Sequence, residues 1–266
     1  MFFNHPTMNI FCNFLFVFFL YISTAQSAGP TYHICNTNSQ TNHSNQTSKN
    51  TDILLSQLVQ GTIQHGFVAT SYGEGVDEIY GLSQCRGDVS KNDCSICIKD
   101  AAKEILKLCP NQSDARVWYD YCFLRYNKVR FFGQVDTSGA YLINVQNVTG
   151  VDNFSEKRGS LINQISSEAV KPPNRLGKEK SKISPFLTLY GLVQCTRDLS
   201  ETNCAQCLAV AIRNVPGVCG NRRGCQVLYS SCYVRYELYP FFFPLDSKES
   251  LDHNSADDKS FMVFKP

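Results

Sequence analysis

The sequence has almost no net charge, few histidines and no apolar segment after residue 28 long enough to cross a membrane. Its 25 Lys and Arg residues nearly balance 23 Asp and Glu residues, so the net charge of +2 does not indicate a nucleic-acid partner. No apolar run beyond the N-terminus reaches the roughly 18 residues that a transmembrane helix needs. The 5 histidines lie apart, and no serine stands in a nucleophile-elbow context. We therefore expect no membrane span, no enzyme activity and no cofactor.

Cysteine, in contrast, is abundant and regularly spaced. Of the 13 cysteines, five follow the pattern C-x8-C-x2-C-x11-C-x12-C, and five more repeat this pattern 110 residues later. The two sets are Cys85, Cys94, Cys97, Cys109 and Cys122, and Cys195, Cys204, Cys207, Cys219 and Cys232. Flanking residues keep the same offset, including Asp88 with Asp198, for which we expect a turn or cap role. The chain therefore contains a tandem duplication of a module of roughly 100 residues.

The N-terminus has the features of a secretory signal peptide. An apolar segment at residues 10–22 is followed by small residues at 23–28, and it is too short to span a bilayer comfortably. Cleavage would remove Cys12 and leave an even number of cysteines, as expected of an oxidised secreted protein. We therefore predict a signal peptide at 1–28, a first module at 29–136, a second module at 137–246 and a polar C-terminal tail at 247–266.

Asn-x-Ser/Thr motifs support the same route of export. A secreted chain carries glycans at exposed motifs of this kind. The predicted glycosylation sites are Asn42, Asn45, Asn111, Asn147 and Asn153.

Three interpretations of the cysteines compete. Each C-x2-C pair is half of a zinc site, but neither module has a second such pair or a matching pair of histidines. A redox-active C-x2-C pair is also conceivable, but another cysteine lies nine residues upstream of Cys94 and of Cys204. A disulfide framework explains all of them, and we expect no metal. Several connectivities are compatible with the spacing alone.

The apolar periodicity predicts an α+β fold with two helices and several strands in each module. Short connections between strands favour an antiparallel sheet with helices on one face. The predicted elements of the first module are a helix of about a dozen residues from Ile53, strands at Phe67–Tyr72 and Glu78–Gln84, a helix between Ser90 and Pro110, and strands at Ala115–Tyr126 and Val129–Phe132. Those of the second are a helix at Glu156–Ala169, a strand at Leu187–Gln194, a helix at Thr202–Asn214 stopped by Pro216, and a strand at Cys225–Leu238. Residues 171–182 are predicted to form a solvated loop.

The repeated C-x8-C-x2-C pattern, the Tyr-Gly-x-x-Gln-Cys segment before it and the segment Arg235–Phe242 resemble the plant cysteine-rich repeat secretory proteins. Their modules are homologous to the antifungal seed protein ginkbilobin-2. The resemblance covers residues 30 to about 245. It implies two modules, each with two helices on a roughly five-stranded antiparallel sheet.

The resemblance also implies a secreted, non-enzymatic recognition protein of the plant apoplast, acting in defence or stress signalling. The expected partner is a cell-wall glycan or a receptor-like kinase ectodomain, and homo- or hetero-oligomers remain open. A mannose-binding antifungal lectin is the alternative function. A structural wall component is a third possibility, in which an exposed Phe241–Phe243 run would serve as a contact surface.

A disulfide pairing follows from the resemblance. Carried onto this sequence, the implied pairs are Cys35–Cys109, Cys85–Cys94, Cys97–Cys122, Cys195–Cys204 and Cys207–Cys232. The second module has no cysteine that corresponds to Cys35, which leaves Cys219 and the additional Cys225. Because the total is even, we predict that these two residues pair with each other.

The resemblance further implies carbohydrate-binding positions. Ginkbilobin-2 binds mannose through an Asn, an Arg and a Glu, whose amide, guanidinium and carboxylate hydrogen-bond to neighbouring hydroxyls. The corresponding residues of the first module are Asn36, Arg116 and Asn127, the last in place of Glu. In the second module Glu237 matches the Glu, Gln226 replaces the Arg, and the segment bearing the Asn is expected to be missing.

Overall fold

The computed structural model describes residues 29–36, 44–244 and 261–265, which form two α+β modules. Each module packs two helices on one face of an antiparallel sheet. Across the first sheet the strands lie in the order Tyr32–Cys35, Asp114–Trp118, Cys122–Asn127, Ile79–Cys85 and Phe67–Tyr72. Across the second they lie in the order Phe261–Phe264, Gly139–Asn144, Cys225–Tyr229, Cys232–Glu237, Leu187–Cys195 and Leu176–Ser184. The predicted fold class is confirmed. The predicted signal peptide, Asn42, and residues 247–260 and 266 of the predicted tail lie outside the described residues.

The first module contains two helices and five strands. Its elements are β1 (Tyr32–Cys35), α1 (Asn45–His65), β2 (Phe67–Tyr72), β3 (Ile79–Cys85), α2 (Lys91–Leu108), β4 (Asp114–Trp118) and β5 (Cys122–Asn127). Helix α1 begins eight residues before the predicted start. Ser44 caps it, and Asp77 accepts hydrogen bonds from the hydroxyls of Ser44 and Thr47 at 2.5 and 2.6 Å. This polar first turn carries no apolar periodicity from which it could be predicted.

The second module follows the same order. Its elements are β6 (Gly139–Asn144), α3 (Phe154–Ala169), β7 (Leu176–Ser184), β8 (Leu187–Cys195), α4 (Glu201–Cys219), β9 (Cys225–Tyr229), β10 (Cys232–Glu237) and β11 (Phe261–Phe264). The prediction of a polar tail to residue 266 was wrong at β11, which pairs with β6. The prediction of a loop at 171–182 was wrong from Leu176 onwards, because this segment is the polar edge strand β7.

Other local predictions also need correction. Each long predicted strand is a hairpin, because chain reversals at 119–121 and 230–231 separate β4 from β5 and β9 from β10. The predicted strand at Val129–Phe132 is irregular chain. The prediction ended helix α4 before Pro216, but the helix continues through this proline to Cys219. Pro216 cannot donate a backbone hydrogen bond, but its carbonyl still accepts from Gly220 N at 3.2 Å.

Six disulfides lie inside the modules. The bonded pairs are Cys35–Cys109, Cys85–Cys94, Cys97–Cys122, Cys195–Cys204, Cys207–Cys232 and Cys219–Cys225. They coincide with the pairs that the resemblance and the even count implied. Each disulfide that joins a helix to a strand lies in the apolar core of its own module.

The disulfide that holds the end of the second helix differs between the modules. In the first module Cys35 on β1 bonds Cys109, and its cross-strand neighbour is Ala115. In the second, Ile143 occupies the place of Cys35, and its cross-strand neighbour Cys225 bonds Cys219. The cysteine has thus moved from the outer strand to the adjacent strand, and the same helix end remains tied to the sheet.

The two sheets face each other with the helices on the outside. Trp118, Leu142 and Leu228 form an apolar cluster between them, and Trp118 Nε1 donates to the carbonyl of Tyr229 at 3.4 Å. Equivalent residues of the two modules form hydrogen bonds across this contact, each to the other module. The two modules therefore form one unit with an approximate internal twofold relation.

Two equivalent glutamines make part of this contact. Gln84 Nε2 donates to Cys195 O at 2.9 Å, and Gln84 Oε1 accepts from Arg197 N at 2.9 Å. Gln194 Oε1 accepts only from Gly87 N, at 3.3 Å, and its Nε2 is buried without a hydrogen-bond partner among the described residues.

Two equivalent aspartates fix the ends of the modules. Asp88 Oδ2 accepts from Phe243 N, and Asp198 Oδ2 accepts from Gly133 N, both at 2.7 Å. The adjacent Phe241 is 8% exposed and lies under the guanidinium of Arg235, 4.3 Å from it. The aromatic run is therefore part of the contact between the modules.

We predict that the two glutamines differ in their effect on stability. Gln84→Leu should lower the free energy of unfolding by about 2–4 kcal/mol, since it leaves a buried carbonyl and a buried N–H unpaired. Gln194→Leu should cost about 1 kcal/mol or less, since it removes one long hydrogen bond. Guanidinium unfolding of the oxidised proteins measures both values, and equal losses would contradict the asymmetry.

We also predict that the second module accepts the disulfide arrangement of the first. Ile143→Cys combined with Cys225→Ala should bond Cys219 to position 143, as non-reducing peptide mapping would detect. The new loop is longer than the native separation of 6 residues, which favours the folded state by about 2 kcal/mol in the chain-entropy model. Cys225→Ala alone is the control and should lose about 2 kcal/mol. Free thiols in the double variant would refute the equivalence.

Candidate functional site

The three predicted sugar-binding positions surround Asp114 on the sheet face that the second module covers. Asn36, directly after β1, donates its N–H to Asp114 O at 3.1 Å and its Nδ2 to Asp114 Oδ2 at 3.4 Å. Asn127 lies opposite Asp114 in the register of β4 and β5, and Arg116 is two residues along β4. Residues opposite each other, or two apart along a strand, share a face of the sheet.

Arg116 is already engaged by other protein groups. Its Nη1 donates to Asp136 Oδ2 at 2.8 Å and to Ser230 Oγ at 2.7 Å, and it also contacts Ser138 Oγ. Its Nη2 lies 3.5 Å from Asp114 Oδ2. The residue is 9% exposed, so the guanidinium holds the modules together and does not face an open site.

Asp136, in the segment between the modules, balances two buried guanidiniums. Its Oδ2 also lies 3.1 Å from Arg125 Nη2. Burial alone would raise the pKa of Asp136, but Arg116 and Ser138 outweigh this effect and lower it. Burial, together with the nearby charge of Arg116, lowers the pKa of Arg125 to about 10. This electrostatic arrangement favours a closed contact.

Asn127 also has a local role. Its Oδ1 accepts from Val129 N at 2.8 Å and so caps the turn after β5. Both Asn127 and Asn36 are half-buried, at the rim of the covered face. The structure thus brings the three predicted residues to one place, although the arginine among them is buried.

The second module has a counterpart of Asn36, and the expectation that it is missing was wrong. Asn144 N donates to Gly224 O at 3.0 Å, and Gly224 is equivalent to Asp114. Asn144 therefore occupies the place of Asn36 at the end of β6. It lies 108 residues further on, whereas the cysteines lie 110 further on. The chain between Asn144 and Cys195 is two residues longer than the chain between Asn36 and Cys85, which hides the match from a comparison at constant offset.

The second set, Asn144, Gln226 and Glu237, is buried. These residues are 1%, 3% and 0% exposed, respectively. Arg235 Nε donates to Glu237 Oε1 at 3.0 Å, and a Cβ on Gly224 would lie 1.8 Å from Glu237 Oε2. The absence of a side chain at Gly224 is therefore what allows the carboxylate to fold inward.

Other predicted features lie on the outer surface. All of the predicted glycosylation positions within the described residues are exposed, namely Asn45, Asn111, Asn147 and Asn153. In the described part of the chain, no three His, Cys, Asp or Glu residues are grouped so that they could hold a metal ion. No helix of that part is long and apolar enough to cross a membrane.

The arrangement agrees with comparisons to known proteins. The family model described as "Salt stress response/antifungal" matches residues 34–129 and 143–239. Cysteine-rich repeat secretory protein 55 of Arabidopsis thaliana is 52% identical over 237 residues, which cover 87% of this chain and 90% of that protein. Antimicrobial ginkbilobin-2-like protein of Castanea crenata is 39% identical over 223 residues, covering 84% and 92% of the two chains.

A solved structure has the same tandem organisation. The tandem DUF26 ectodomain of the Arabidopsis thaliana cysteine-rich receptor-like protein PDLP8 superposes with a TM-score of 0.69 at 29% identity. The match covers 79% of this chain and 98% of that one. The chain therefore belongs to the salt stress response/antifungal (DUF26) family, as a tandem member related to the cysteine-rich repeat secretory proteins.

Proposed function

We propose that this protein is a secreted, non-enzymatic recognition protein of the plant apoplast whose partner is a receptor-like ectodomain. The observation that carries the proposal is the closure of both sets of sugar-binding positions. Arg116 is bonded to Asp136 and Ser230, and the second set is almost fully buried. A sugar hydroxyl would have to displace these contacts before it could bind there.

Exposed apolar residues instead lie at the turns after β2 and β7. Val76 is 87% exposed and Phe186 is 97% exposed, and the two residues are 110 positions apart. They therefore occupy the same place in both modules. Exposed aromatic and aliphatic side chains on a disulfide-bonded scaffold are suited to insertion into a pocket of a protein partner.

The kinship with receptor-like ectodomains supports the same partner class. The PDLP8 ectodomain and this chain share the tandem organisation. Proteins built from the same modules could pair through equivalent surfaces, as many related subunits do. Defence or stress signalling is the setting proposed for this contact.

A mannose-binding antifungal lectin is the second candidate, and one observation favours it. Asp114 Oδ1 has no hydrogen-bond partner among the described residues, and Asn36 and Asn127 flank it. Asp114 could thus supply the carboxylate that Asn127 lacks. The antimicrobial relative from Castanea crenata adds support to this alternative.

The carboxyl group with the most raised pKa among the described acids is not placed for catalysis. Burial raises the pKa of Glu237 to about 7, although Arg235 donates to it and acts in the opposite direction. The side chain is fully buried, so a substrate cannot reach it. We therefore assign Glu237 a structural role and retain the non-enzymatic proposal.

We predict that the exposed turns bind the partner. The probe is the PDLP8 tandem ectodomain, with a second copy of this chain tested in parallel by biolayer interferometry. Val76→Ser combined with Phe186→Ser should weaken binding at least about tenfold, since loss of even one hot-spot side chain at an interface costs about 2 kcal/mol or more. Val129→Ser, at another exposed position (71%), is the matched control and should have no effect. Binding unchanged by the double variant would argue against these turns.

We predict that mannose does not bind at millimolar concentration. An NMR titration should leave the amide resonances of Asn36, Asp114 and Asn127 unshifted, because Arg116 remains bonded within the protein. Saturable shifts that disappear in Asp114→Asn would establish the second candidate instead.

A pH prediction tests the structural role of Glu237. Its folded-state pKa is raised above the unfolded value, so its contribution is fully present below about pH 4.5 and is lost as the pH rises to about 7. Relative to Glu237→Gln, the native protein should therefore lose about 3 kcal/mol of unfolding free energy between these values. Unfolding curves at pH 4.5 and 7.5 measure the change, with exposed Glu201→Gln as control. A constant difference would contradict burial of an ionisable Glu237.

A further inference from the structure

A polar cleft lies where the end of α1 and the start of α2 meet the second module. Its volume is about 210 Å³. His65 and Gly66 line it from the end of α1, Ser90 and Lys91 from the start of α2, and Arg197 from the second module. Arg197 therefore completes the lining of the cleft only when the two modules are docked.

Arg197 is held in place by groups of the first module. Its backbone N–H donates to Gln84 Oε1 at 2.9 Å, and its Nη1 donates to His65 O at 3.0 Å. The guanidinium lies against Gly66, where a Cβ would come within 3.4 Å of Nη2. The side chain is thus positioned by the protein before any ligand arrives.

No acid neutralises Arg197 among the described residues. The other arginines at the contact between the modules all lie close to carboxylates; they are Arg86, Arg116, Arg125 and Arg235. Lys91 also forms no ion pair within the described residues, and its side chain is exposed. Two acids lie close to Lys91 in the sequence and form other contacts: Asp88 pairs with Arg86, and Asp93 accepts from Ser90 Oγ at 2.7 Å.

The equivalent place in the second module has a different arrangement of charges. Arg175 replaces Gly66, as shown by the matching bonds Cys195 N to Arg175 O and Cys85 N to Gly66 O, both 2.9 Å. Its guanidinium folds back onto the carbonyls of Val170 and Leu199. Glu201 replaces Lys91, and Gly87 replaces Arg197. The cationic cleft is therefore a feature of one module only.

We propose that this cleft binds an oxyanion, such as the carboxylate of an acidic sugar or an inorganic sulfate. Guanidinium donors and an ammonium group on one wall are the usual partners of such oxyanions. The cleft is smaller than the roughly 300–1,000 Å³ typical of sites for drug-sized ligands, which fits a single charged group with part of a sugar ring. Burial without a counter-charge lowers the pKa of Arg197, and a bound anion would oppose that effect.

The site does not depend on the proposed receptor-like partner. Its ligand would occupy the cleft between the modules, whereas the proposed protein contact uses the turns that carry Val76 and Phe186. Either proposal can therefore fail while the other stands.

The test uses the full, oxidised protein and three probes at constant ionic strength: trigalacturonate, neutral galactotriose and sodium sulfate against chloride. NMR should show saturable shifts of the amides of Gly66, Lys91 and Arg197 with trigalacturonate or sulfate, and none with galactotriose. Shifts with trigalacturonate alone identify an acidic sugar as the ligand, and shifts with sulfate alone identify a small inorganic anion. No saturable shift with either anion would overturn the proposal.

Matched variants distinguish anion binding in the cleft from general electrostatic attraction to the protein. Lys91→Gln, at an exposed position, should fold normally and weaken anion binding about tenfold, as should Arg197→Gln. Glu201→Gln, at the equivalent position of the second module, also changes the net charge by one unit, with the opposite sign, but should leave the affinity for the anion unchanged. If Arg197→Gln fails to fold, Lys91→Gln still decides the outcome. Equal affinity in Lys91→Gln and the native protein would refute the site.

Discussion

Four buried arginines between the facing sheets are the constraint on which the tandem structure depends. A buried guanidinium without a counter-charge costs several kcal/mol, so each needs an acid or carbonyl within reach. The four are Arg86, Arg116, Arg125 and Arg235, each 9% exposed or less. Their partners come from the segment between the modules or from both modules, as with Asp136 and with Asp120, which lies 3.4 Å from Arg235 Nη1. Part of the hydrogen bonding of these arginines therefore depends on docking of the two modules, as in the bonds from Arg86 to Phe241 O and from Arg116 to Ser230.

This constraint explains why the sheet face that resembles a sugar site is closed. The same face must dock the modules and also carries Asn36, Arg116 and Asn127. In the first module Arg116 donates to Ser230 of the second module. In the second module the lack of a side chain at Gly224 allows Glu237 to turn inward to Arg235. Recognition is then left to the surfaces that docking does not use. These are the exposed turns and the one-sided cleft beside Arg197.

The fold was predictable from the sequence because the cysteines mark equivalent positions in both copies. Five cysteines at one offset show the duplication, and the disulfide pairing, which places each helix beside a strand, follows from the family resemblance. Chain reversals inside apolar runs were not predictable, since 119–121 contains aromatic residues instead of Gly or Pro. The polar start of α1 was missed because side-chain bonds to Asp77 stabilise it, and apolar periodicity does not report these.

Two features of the candidate site could not be predicted from the sequence, namely the position of Asn144 and the contacts of Arg116. Asn144 was hidden because the chain between it and Cys195 is two residues longer than the equivalent chain after Asn36, although the backbone hydrogen bonds of the two asparagines are equivalent. The engagement of Arg116 depends on Ser230, a residue 114 positions away whose location follows only from docking. Some residues that form hydrogen bonds between the modules keep their identity in both copies, as Gln84 and Gln194 or Asp88 and Asp198 do, whereas Arg116 is replaced by Gln226. Residues facing solvent, such as Lys91 and Glu201, have also diverged. Two copies of one fold can thus carry a binding site that only one of them forms. Positions at which the copies differ are therefore the best candidates for a ligand-specific function.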